Sequence, residues 1–151
     1  MLIAAVSVAA AAADPELLPN ERAFAFSARG LDDRTVEARF VIADGYYLYR
    51  EKLKFALVPG ALDAVSLPPG KVKEDEFFGR VETYRRAITV RLPLQAAAPG
   101  KPVSVSAESQ GCADVGVCYP PQLQKVTVVL PVAGAGPGPV VEAAPSRKWF
   151  N

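Results

Sequence analysis

Fourteen prolines and eleven glycines cut this 151-residue chain into short runs. Proline lacks a backbone donor and clashes with the turn before it, so a helix does not cross such points. No stretch of about ten residues or more sets its apolar side chains at helical spacing. The runs between the breaks alternate instead. In Thr35 to Ile42, Val36, Ala38, Phe40 and Ile42 share one face while Glu37 and Arg39 share the other, the period-two pattern of a half-buried strand. Ala87 to Leu92 puts Ile88, Val90 and Leu92 together; Val103 to Ala107 alternates with Ser104 and Ser106; Gln124 to Leu130 sets Val126 and Val128 against Lys125 and Thr127. Shorter runs at Ala23 to Ser27, Tyr46 to Tyr49, Phe55 to Val58 and Val65 to Leu67 lie beside Asp44-Gly45, Pro59-Gly60 and Pro68-Pro69-Gly70. About eight strands with turn signals between them predict an all-β fold, an antiparallel β-sandwich.

The length favours one domain, and a chain that is 50% hydrophobic can build a core for it. The pattern places that domain at residues 20–132. Residues 133–139 are rich in Gly, Ala and Pro, the composition of a linker, so 133–151 reads as linker and tail. Residues 1–19 read as leader and approach. Met1 to Ala13 are almost wholly apolar and end in an Ala run, like the apolar region and small-residue cleavage site of a secretory signal, although the basic start is missing. The run is too short for a spanning helix, which takes ~20 apolar residues. A secretory signal directs a chain to an oxidising compartment, where cysteine pairs form disulfides.

Several function classes drop out. The chain has no histidine, which removes Ser-His-Asp and Cys-His catalysis, His-ligated zinc and a histidine pH switch. A net charge of +1 gives no electrostatic footprint for nucleic acid or an anionic membrane. Two cysteines and one methionine, at position 1, are too few soft ligands for a copper or zinc carrier.

The two cysteines, Cys112 and Cys118, sit in Gln110-Gly111-Cys112-Ala113-Asp114-Val115-Gly116-Val117-Cys118-Tyr119-Pro120-Pro121. A bridge between them would close so short a loop that chain entropy gives only roughly 2 kcal/mol, against ~4 kcal/mol for a loop of ~60 residues. Such spacing suits a bridge that opens and closes better than a staple. A thiol needs a cation or a helix N-terminus to become a ready thiolate. The nearest charges in sequence are Glu108 and Asp114, both negative, and Tyr119-Pro120-Pro121 forbids a following helix. The pair is therefore a carrier dithiol whose partner brings the reactive cysteine. In Lys73-Glu74-Asp75-Glu76-Phe77-Phe78-Gly79, two aromatics lie among charges before a glycine. The segment reads either as a shield over the disulfide or as an ordinary strand edge.

Three segments resemble one known family, the N-terminal periplasmic domain of the thiol:disulfide interchange proteins DsbD: Asp44-Gly45-Tyr46-Tyr47-Leu48-Tyr49-Arg50, Glu74-Asp75-Glu76-Phe77-Phe78-Gly79 and the cysteine segment itself. The resemblance runs from Leu18 to Leu130. It implies an immunoglobulin-like sandwich whose cysteine pair cycles between dithiol and disulfide without a cofactor or metal. It implies Cys118 as the cysteine that forms mixed disulfides and Cys112 as the more buried, resolving one. It implies a cap loop of Asp75, Glu76, Phe77, Phe78 and Gly79, with Phe77 as its aromatic lid, and tyrosines Tyr46, Tyr47, Tyr49 and Tyr119 flanking the site. The implied electron donor is the family's C-terminal thioredoxin-like domain. The implied acceptors are a DsbC-type disulfide isomerase and a thioredoxin-like protein of cytochrome c maturation. The implied compartment is the periplasm, with attachment to the inner membrane through a transmembrane domain that this sequence does not contain. The competing reading is a non-catalytic sandwich, an interaction module with one structural disulfide.

Overall fold

The structure, a computed structural model, describes residues 16–145. The signal-like run Met1 to Ala13 and the end Ser146 to Asn151 lie outside them. After one helical turn, α1 (Asn20–Ala23), twelve strands follow: β1 (Phe24–Gly30), β2 (Thr35–Ile42), β3 (Tyr46–Tyr49), β4 (Lys54–Val58), β5 (Lys71–Asp75), β6 (Gly79–Tyr84), β7 (Ala87–Pro93), β8 (Pro102–Ser109), β9 (Gly111–Ala113), β10 (Val117–Cys118), β11 (Gln122–Val129) and β12 (Val141–Glu142). They form three sheets, in the orders β12-β1-β2-β7, β11-β8-β4 and β10-β9-β3-β6-β5. Every pairing between them is antiparallel. This is the antiparallel β architecture that the strand pattern predicts, and the immunoglobulin-like fold that the resemblance implies.

Alternation puts the core where the sequence reading expects it. Val36, Ala38, Phe40 and Ile42 of β2 are buried, as are Ile88, Val90 and Leu92 of β7. In the register Phe40 faces Phe26 on one side and Ile88 on the other. Val103, Val105 and Ala107 of β8 meet Val126 and Val128 of β11 in the same core. Each fully buried side chain of this size removes apolar surface worth about 1.5–3 kcal/mol.

Two expectations change. Val65 to Leu67 is not a strand; the pairing nearby is the isolated bridge Leu62 to Leu94. Pro68 and Pro69, lacking N–H groups, end the run before a ladder can form. Within the stretch read as linker and tail, β12 adds two residues to the edge of β1, Val141 opposite Ala28 and Glu142 opposite Ser27. A strand of two residues carries no periodicity to read.

The sheet that holds the cysteines depends on one close approach. β9 continues the line of β8 past Gln110 and pairs with β3, Cys112 opposite Tyr47 and Gly111 opposite Leu48. A Cβ on Gly111 would lie 2.4 Å from both the Phe24 ring and the Tyr47 carbonyl oxygen. Only glycine lets the strand sit this deep.

Candidate redox site

β9 and β10 form a small hairpin, with Cys118 opposite Cys112 and Val117 opposite Ala113. The cysteines are bonded to each other, their Cα atoms 4.0 Å apart. Cys112 is fully buried and Cys118 half-buried, so Cys118 is the more accessible of the two. The bridge sits in a small cluster of its own, apart from the main core, with Tyr47, Tyr49 and Val81.

Asp75 organises this cluster. It ends β5, its carboxylate is buried, and each of its oxygens takes two hydrogen bonds. Oδ2 accepts from the hydroxyls of Tyr47 at 2.9 Å and Tyr49 at 2.8 Å. Oδ1 accepts from the backbone N–H groups of Phe77 at 2.8 Å and Phe78 at 3.0 Å. Burial alone would raise the Asp75 carboxyl; the hydrogen bonds, that from Tyr49 foremost, outweigh it and hold the group below its ordinary value. Burial and the bond to Asp75 push the Tyr49 hydroxyl well above its usual range.

The Tyr49 oxygen lies 3.0 Å from Cys112 Sγ and 3.9 Å from Cys118 Sγ. Its single proton goes to the Asp75 carboxylate, the stronger acceptor, so its lone pairs face the bridge. When the bridge opens, a Cys112 thiol can donate to that oxygen. A Cys112 thiolate would instead meet lone pairs and lie near a carboxylate.

The segment read as a cap loop is the tip of the β5–β6 hairpin, where Asp75 pairs with Gly79. Gly79 takes φ 74°, a left-handed value that suits glycine and reverses the chain. Glu76, Phe77 and Phe78 are exposed, Phe77 by 52% and Phe78 by 44%. The aromatic contact into the site is that of Phe78, its ring edge-on to Tyr49 with centroids 4.9 Å apart. Lys52 Nζ lies 5.0 Å over the outer ring of this stack.

Of the flanking tyrosines, Tyr47 and Tyr49 contact the Asp75 carboxylate. Tyr46 and Tyr119 lie on the other side of the hairpin, both edge-on to Phe24. The sequence reading missed the cations. Lys73 Nζ lies 4.3 Å and the Arg85 guanidinium 5.2 Å from the centre of the Tyr47 ring. Arg85 also clasps Asp114 at the hairpin tip through two hydrogen bonds of 3.0 and 2.7 Å. The Arg85 hydrogen bonds hold Asp114 below its ordinary value. Asp114 sits in the cysteine motif, but nothing local announces a partner 29 residues away.

Known proteins are similar to this chain in sequence and in fold. The family model for the N-terminal region of the thiol:disulfide interchange protein DsbD matches residues 14–130. DsbD of Ralstonia nicotianae is 47% identical over 148 residues, 95% of this chain and 24% of the relative. DsbD 2 of Pseudomonas aeruginosa is 44% identical over 126 residues, 83% of this chain and 20% of the relative. The chain thus spans about a quarter or less of the length of these relatives. Among solved structures, the reduced DsbD N-terminal domain of Neisseria meningitidis superposes with a TM-score of 0.71 at 38% identity, covering 85% of this chain and 96% of that one. The same organism's DsbD N-terminal domain in complex with the PilB N-terminal domain gives 0.63 at 39% identity, covering 75% and 88%. With family model, relatives and fold in agreement, and a paired Cys112 and Cys118 at its site, this chain belongs to the family of DsbD N-terminal domains, the thiol–disulfide interchange domains.

Proposed function

We propose that residues 20–132 relay electrons in the periplasm as a protein-disulfide reductase, by opening and closing the Cys112–Cys118 bridge. The donor is a thioredoxin-like domain. The acceptors are a DsbC-type isomerase and a thioredoxin-like protein of cytochrome c maturation. The observation that carries this reading is the asymmetry of the bridge: Cys112 fully buried against Tyr49, Cys118 half-buried on a two-residue edge strand. A complex of a relative with the PilB N-terminal domain supports a protein as the exchange partner.

In the receiving direction a partner thiolate attacks Cys118 Sγ. The bridge breaks, a mixed disulfide forms at Cys118, and Cys112 leaves and takes up a proton beside Tyr49. The partner's second thiolate attacks its own sulfur in the mixed disulfide, which closes the partner's disulfide and leaves two thiols on this chain. Two electrons and two protons have moved. In the delivering direction the Cys118 thiolate attacks an acceptor disulfide, and Cys112 then displaces the acceptor as a dithiol. The tip of the β5–β6 hairpin is the lid over this chemistry, with Phe77 and Phe78 as its aromatic pair.

The test is trapping. Cys112→Ser, mixed with an oxidised acceptor or with a donor whose resolving cysteine is removed and whose nucleophile is activated as a mixed disulfide, should accumulate an adduct through Cys118. Cys118→Ser should give none. Adducts from Cys118→Ser alone would reverse the two roles, and adducts from neither would favour the interaction-module reading.

A further inference from the structure

The strand that bears Cys118 is weakly built. β10 is two residues long, lies at the edge of its sheet and pairs only with β9. Pro120 and Pro121 follow after Tyr119 and offer no N–H to any ladder. Between Cys118 and the start of β11 at Gln122 the backbone keeps one bond, from the Tyr119 N–H to the Gly111 carbonyl at 3.0 Å; the other holds come from side chains, and several belong to or contact residues 16–20, a strap that precedes the first strand. The Tyr119 hydroxyl donates to the Leu18 carbonyl. The Leu18 N–H donates to the Tyr46 hydroxyl at 2.8 Å. Asn20 Nδ2 donates to the Pro120 carbonyl at 3.0 Å, and Gln122 Nε2 returns to the Asn20 carbonyl at 3.1 Å. The Tyr46 and Tyr119 rings both stand edge-on to Phe24, centroids 5.9 and 5.8 Å away. One residue of the strap, Leu18, is thus held at its N–H and at its carbonyl by two tyrosines, one next to Cys118 and the other at the start of β3.

We propose that this strap is a positioning element for the dithiol. By clasping Tyr119 it keeps Cys118 opposite Cys112 when the bridge is open. Closing the bridge then costs less conformational freedom, as for any preorganised pair. The strap therefore biases the pair toward the disulfide. Leu18, Tyr46 and Tyr119 are positioning residues and touch no reacting atom. The inference deepens the exchange reading and rests on it. Its test replaces the protein partner with a small dithiol, so the strap and the relay can fail separately.

The experiment equilibrates the oxidised chain with reduced dithiothreitol and counts thiols. One disulfide opens on the chain and one closes in dithiothreitol, with two electrons and two protons passing to the chain. Tyr119→Phe removes the hydroxyl from Leu18 and keeps the ring on Phe24. Its equilibrium should move toward the dithiol by roughly three- to tenfold, tenfold being ~30 mV for this two-electron couple. Tyr84→Phe removes another hydroxyl bond, to the Pro68 carbonyl, away from the strap, and should leave the equilibrium in place. Reciprocity requires the bridge to steady the strap in turn, so in the unmodified protein the Leu18 amide should exchange with solvent faster in the dithiol form. A shift below about twofold in Tyr119→Phe, or one matched by Tyr84→Phe, overturns the proposal. So does equal protection of the Leu18 amide in the two redox states, a reading that does not depend on any variant folding.

Discussion

The two ends of this molecule are held together by different forces. The main core is apolar and continuous: Phe26, Phe40, Ile88, Val105 and Val126 pack across two sheets with no polar partner needed. The redox end is a small cluster in which a carboxylate, two tyrosine hydroxyls and a disulfide are within hydrogen-bonding reach of one another. Packing makes the first rigid and tolerant of solvent conditions. Directional bonds make the second sensitive to charge, to redox state and to whatever covers it. Chemistry is confined to the end whose stability comes from groups that can exchange partners.

That contrast predicts that function and fold separate. The largest effect belongs to the double variant Cys112→Ser/Cys118→Ser. Exchange with any thiol partner should vanish while the fold is retained, with a stability loss of roughly 2 kcal/mol, because the closed loop is short. Urea unfolding beside a thiol-transfer assay reads both quantities. Collapse of the fold in this variant would make the bridge a staple and dissolve the distinction. The converse change is Phe40→Ala in the main core, which should cost about 3–5 kcal/mol of stability. The folded fraction should still exchange at the parent rate, measured well below the unfolding midpoint.

Asp75→Asn sharpens the comparison at the site. Removing the charge leaves two tyrosine hydroxyls and two loop N–H groups with a weaker acceptor, a loss of about 1–3 kcal/mol. The sign with pH follows from the depressed carboxyl. Its stabilisation is fully present above the unfolded value of about 3.9 and is lost as pH falls through the folded-state value. The parent protein should therefore lose stability on acidification over a range in which Asp75→Asn changes less. Part of the parent's acid loss survives in the variant, since Asp114 is depressed in the same direction by Arg85. Identical acid limbs for the two proteins would remove Asp75 from its organising place.

Phe77→Ala and Phe78→Ala test the lid. Both should keep the fold and speed reduction of the bridge by dithiothreitol. Phe78→Ala should have the larger effect, because its ring is the one against Tyr49. Unchanged rates in both would leave the hairpin tip as a plain turn. The smallest effect is that of Arg85→Ala. Its ion pair with Asp114 is more than two-fifths exposed on each side, so about 0.2–1 kcal/mol is expected, visible as a small, salt-dependent change in the unfolding midpoint.

Legibility in the sequence divides along the same line. β2 and β7 are long enough to show alternation, and the residues read as one face are the buried ones. β5, with the sequence Lys-Val-Lys-Glu-Asp, hides its strand character behind the charges usual on an exposed edge. β9 and β10, three and two residues long, are too short for any period. The cysteines and Asp75 were visible through their motifs, but not the geometry that joins them. Tyr47 and Tyr49 contact a carboxylate 28 and 26 residues away, and Leu18 contacts Tyr119 across 101. Such contacts are products of the topology and leave no local signal. The expectation of Phe77 as the aromatic lid came from resemblance; the ring that stands against Tyr49 is that of Phe78.

The most direct test of the account is to mix the oxidised chain with a reduced thioredoxin-like domain and follow thiols by mass. Rapid, stoichiometric appearance of two free thiols on this chain, lost in Cys118→Ser, is the predicted result. A bridge that stays closed against that partner, yet opens in strong reductant without loss of fold, would contradict it.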